Sequence, residues 1–63
     1  MKNKDLEQEQ INSANLNDLQ TAEGCLISAQ QSFTDNKIDE ALYWLAMADI
    51  HCKLILARKA NAN

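Results

Sequence analysis

Apolar residues recur along the second half of this chain on two sides of a single helix. At about 100° per residue, Ile38, Ala41/Leu42, Leu45, Ala48, Cys52 and Ile55 fall in one row. Tyr43, Met47, Ile50, Leu54 and Ala57 fall in a second, roughly opposite. A surface helix of a small domain needs one such row; a helix with two must be covered on both sides.

The first half offers one convincing helix as cover. Its row is Leu16, Leu19, Ala22, Leu26, Ala29 and Phe33, large residues alternating with alanines. That alternation predicts a neighbouring helix slotting its own large side chains against Ala22 and Ala29. Ser13, Asn15 and Asn17 are candidate caps near the start, and Asp18 reads as a first-turn acid. Gly24 lies off the row. The break is Ser32-Phe33-Thr34-Asp35-Asn36-Lys37, where Thr34, Asp35 and Asn36 are N-cap types. Asp39 and Glu40 then open the second helix, Asp49 and Lys53 form an i,i+4 pair, and Arg58 and Lys59 close it with the sign the helix dipole favours.

The prediction is an all-α antiparallel helical hairpin over residues 14–60, with helices at about 14–33 and 36–60. Residues 1–13, polar and rich in Gln, Asn and Glu, are expected as a flexible arm, with a weak helical extension over Asp5 to Gln10 as the alternative, and residues 61–63 as a frayed tail. The first helix is expected to cover the Ile38–Leu45–Cys52–Ile55 row. Tyr43, Met47, Ile50 and Leu54 then face outward, with Trp44 at the edge. Leaving that row in water forfeits several kcal/mol, about 1.5–3 for each large side chain. So small a domain has little more than that in total. Tyr43, Trp44, Met47, Ile50 and Leu54 are therefore the expected interface of a homo-oligomer, most simply a two-fold dimer forming a four-helix bundle.

Size supports the same conclusion, since 63 residues bury a marginal core. The net charge of −3 and pI of about 4.8 argue against nucleic acid as a partner and against a membrane surface. All nine acids lie at or before Asp49, leaving Lys53, Arg58 and Lys59 at the positive end. The opening MKNKDLEQEQ has no apolar stretch of the secretory kind, so a cytoplasmic location is expected. Cys25 and Cys52 there read as free thiols packed like small apolar residues.

Candidate chemistry is sparse. His51 and Cys52 are neighbours on a helix and point a quarter-turn apart, with Cys25 the remaining soft ligand. Zinc spacings such as C-x-x-C are missing, so no metal is expected. The same Cys/His pair lacks an orienting third group, and no glycine-rich phosphate loop occurs, so neither enzyme activity nor a cofactor is expected. His51 reads instead as a boundary residue on a polar strip with Glu40 and Arg58.

Three resemblances add to this reading. Dimerising helical hairpins of this length resemble the plasmid copy-number RNA-binding regulators, which implies RNA binding as the alternative function. Those proteins need a basic, partly aromatic face, whereas Lys53, Arg58 and Lys59 here point to different sides. Ala29, Asp39-Glu40-Ala41-Leu42, Leu45 and Ala48 look like one tetratricopeptide repeat. Its usual large residues are replaced at Cys25, Ser28 and Ser32, and its proline by Lys53. The Gln/Asn-rich arm followed by ALYWLAMADIHCKLILA is similar to small accessory proteins of the lambdoid phage early region. That resemblance implies a non-enzymatic regulator in the host cytoplasm, acting through contacts with a host protein on growth or the lysis–lysogeny decision.

Overall fold

The structure, a computed structural model, describes residues 2–62, with side chains from Leu6 to Asn61. Two helices make up the fold, α1 (Lys2–Thr34) and α2 (Ile38–Ala62), packed antiparallel as a hairpin. Its dimensions, 52 × 16 × 8 Å, are those of a single layer of two rods.

Helix α1 is longer than its apolar row predicts. The segment expected as an arm over residues 1–13 is helical from Lys2 onward, and Met1 lies outside the described residues. Asp5 to Gln10 are adequate helix formers, a Gln8–Asn12 side-chain bond of 2.9 Å adds one i,i+4 link, and Ile11 is half-buried. At the other terminus α2 runs through Ala62, past the expected fray point at residue 61.

The connection is a Schellman turn. Asn36 is left-handed at φ 60°, a conformation asparagine tolerates better than most L-residues. The Lys37 N–H donates to the Ser32 carbonyl at 2.8 Å and the Asn36 N–H to the Phe33 carbonyl at 3.1 Å. Asn36 thus caps the end of α1 rather than the start of α2. At that start the Lys37 carbonyl accepts the Ala41 N–H at 3.0 Å, and Asp39 and Glu40 supply the expected first-turn charge.

The helices meet along a row different from the predicted one. From α1 it holds Asp18, Ala22, Cys25, Ala29 and Ser32, all buried. From α2 it holds Ala41 and Ala48, both buried, with Trp44, Met47, His51, Ile55 and Arg58 partly so. Ala22, Ala29, Ala41, Ala48 and Ile55 were expected here. Leu16, Leu19, Leu26 and Phe33 are instead exposed, as are Ile38, Leu42, Leu45 and Cys52. The physical reason is close approach. A seam of alanine, serine and cysteine lets two backbones come together, which leucines facing each other would prevent. Gly24 takes no part, because a Cβ there would meet nothing within 4 Å.

Candidate functional site

The large apolar side chains lie outside the hairpin, on two distinct sides. Leu19, Leu26 and Phe33 recur every seven residues of α1, and Ile38, Leu45 and Cys52 every seven of α2. Seven residues return a helix to within about 20° of its starting direction, so each triplet forms a nearly straight seam. Because the helices are antiparallel, the seams emerge on the same side of the hairpin. Counted from the turn, Phe33 stands level with Ile38, Leu26 with Leu45, and Leu19 with Cys52. Leu26 is 50% exposed and Leu45 38%.

The reverse side is apolar mainly on α2, with Leu6 the exposed large apolar residue of α1 there. Tyr43, Ile50 and Leu54 are exposed there, while α1 presents Asn17, Thr21, Gly24 and Ser28. Of the five expected interface residues, these three lie on one side, and the half-buried Met47 at its inner edge packs against the cluster between the helices. Trp44 belongs to the row between the helices, against the Ala22, Cys25 and Ala48 cluster. Its ring meets Tyr43 edge-on, with centroids 5.1 Å apart.

Between the helices, towards the open end, lies a polar clasp. His51 Nδ1 donates to Asp18 Oδ1 at 2.7 Å, because a carboxylate can only accept. Arg58 pairs with Asp18 Oδ2 and donates from Nη1 to Asn15 Oδ1 at 3.1 Å. The His51 hydrogen bond, and after it the Arg58 contact, hold the Asp18 carboxyl below the usual carboxylate range against the opposing effect of burial. Asp18 is thus a mid-helix partner of two α2 side chains, not the first-turn acid expected of it. Its signal was present: His51 and Arg58 are seven apart on the side of Ala41 and Ala48, and Asp18 is four residues before Ala22.

Among the described residues the remaining candidates stand apart from this clasp. Cys25 is buried and Cys52 exposed, both as free thiols. Among the described residues no three His, Cys, Asp or Glu side chains converge as metal ligands. Lys53 is paired with Asp49 at 2.8 Å on the solvent side, which raises its pKa above the ordinary lysine value. No helix, among the described residues, is long and apolar enough to cross a membrane. The clasp has its donors and acceptors directed at one another, so it holds the helices in register rather than offering a vacant position. The apolar exterior is the other extended feature of the hairpin.

No family model, curated protein or solved structure matches this chain.

Proposed function

We propose that this chain is a non-enzymatic interaction and regulatory protein that works as a homo-oligomer, two hairpins forming a four-helix bundle. One observation carries the proposal: the apolar side chains that the hairpin fully buries are all small, while its leucines, Phe33 and the isoleucines at 27, 38 and 50 are exposed. A layer of this kind gains stability by being covered. The Tyr43, Met47, Ile50 and Leu54 side supplies a second contact surface, suited to a protein of the host if the chain is a phage or bacterial accessory factor. Its setting in that case is the host cytoplasm.

The RNA-binding alternative has less support. Arg58 is occupied by Asp18 and Asn15, Lys53 by Asp49, and among the described residues no basic stripe forms on either apolar side. Sedimentation equilibrium tests the proposal, with an oligomeric mass at micromolar concentration expected. A folded monomer would overturn it. Salt-steep, sub-micromolar binding to structured RNA would favour the alternative.

A further inference from the structure

We infer that the side carrying the two seams is the docking surface for a second copy of this chain, which deepens the self-assembly reading above and rests on it. Area is the first argument. A large apolar side chain presents on the order of 200 Å², and those of the seams and of bordering Leu16, Leu42 and Leu56 are about half uncovered. Together they offer roughly 800 Å² per copy, the contribution each partner makes to a standard stable interface. Tyr43, Ile50, Leu54 and Leu6, with half-buried Met47, offer about half as much.

Charge is the second argument. A two-fold contact brings each patch against its own duplicate, so any charge within the patch meets its like. The seams carry none between Leu19 and Phe33 or between Ile38 and Cys52; Glu23 and Asp49 lie in the bordering rows of Leu16 and of Leu42 and Leu56, and Lys59 stands seven residues beyond Cys52. Repeat length is the third. A seven-residue spacing on both helices is the one by which neighbouring helices of a bundle mesh, and here both helices present it to the same side. The α1–α2 contact occupies the adjoining row of Ala22, Ala29, Ala41 and Ala48, so a second hairpin adds to that packing without displacing it.

Cys52 makes the inference testable without disturbing the seams. It lies at the end of one seam, exposed in the single hairpin, while Cys25 is buried between the helices. In a Cys25→Ala background the remaining thiol is titrated with a chromophoric disulfide reagent at oligomer-forming concentration, then after serial dilution. Expected is a reaction roughly tenfold or more slower than that of a free thiol, accelerating as the oligomer dissociates. In parallel, Leu26→Glu and Leu45→Glu should abolish the oligomeric mass, while Ile50→Asp retains it. A wild-type monomer would overturn the self-assembly reading and this one with it. An oligomer whose Cys52 reacts at the free-thiol rate, or one dissociated by Ile50→Asp but not by the seam variants, would overturn the docking surface alone.

Discussion

The turn-proximal and open halves of the hairpin are held together by different physics. Near the turn, Ala29 and Ala41 are covered almost completely, at 1% and 0% exposure, and the contact is dispersion between close backbones. Towards the open end Asp18, His51, Arg58 and Asn15 join the helices with charge-assisted hydrogen bonds. Close packing is insensitive to pH and salt but intolerant of volume. The clasp tolerates less precise packing but depends on protonation and fixes which residues stand opposite. One pair of helices thus separates tightness from register.

The largest expected effect comes from overfilling the turn-proximal half. Ala41→Leu has no space to enter and should destabilise the fold by about 2–3 kcal/mol, read from denaturant melts. An equal melt would mean that the helices are not in close contact there.

Next comes the clasp. Asp18 has a depressed pKa in the fold, so as pH falls the unfolded chain binds that proton first. Its contribution is complete above the ordinary value of 3.8 and is lost as pH falls through the lower, folded value. Asp18→Asn should therefore lower the melting temperature at neutral pH and flatten its fall in acid. A variant with an unchanged acid profile would show that the clasp does not couple to folding.

The smallest effect lies in the turn, beyond both halves. Asn36→Ala places an ordinary L-residue at φ 60° and should cost about 1 kcal/mol, while Asn36→Gly should match or slightly exceed the native chain. Equal stability of the alanine and glycine variants would argue against the left-handed cap.

The two helices, their reversal and the acidic opening of α2 were legible because each rests on local chemistry: periodicity, breaker residues and dipole complement. The covered side of each helix was not. Periodicity of large residues marks where apolar surface exists, but it does not say which surface a neighbour takes. Alanines at 22, 29, 41 and 48 carry a weak hydrophobic signal and yet make the contact. Asp18 was misplaced for a related reason. With the start of α1 set near Asn15 it became a terminal acid, whereas the helix begins at Lys2 and leaves it mid-span. No proline or glycine marks a boundary between the two positions. Of the candidate site, the Tyr43, Ile50 and Leu54 side could be read directly. The seam side could not, because its residues had been assigned to the interior.

A body 8 Å through at the level of its Cα atoms is a raft, not a vessel. Such a raft spends most of its surface on two broad decks. What can lie against those decks is decided by the side chains they carry.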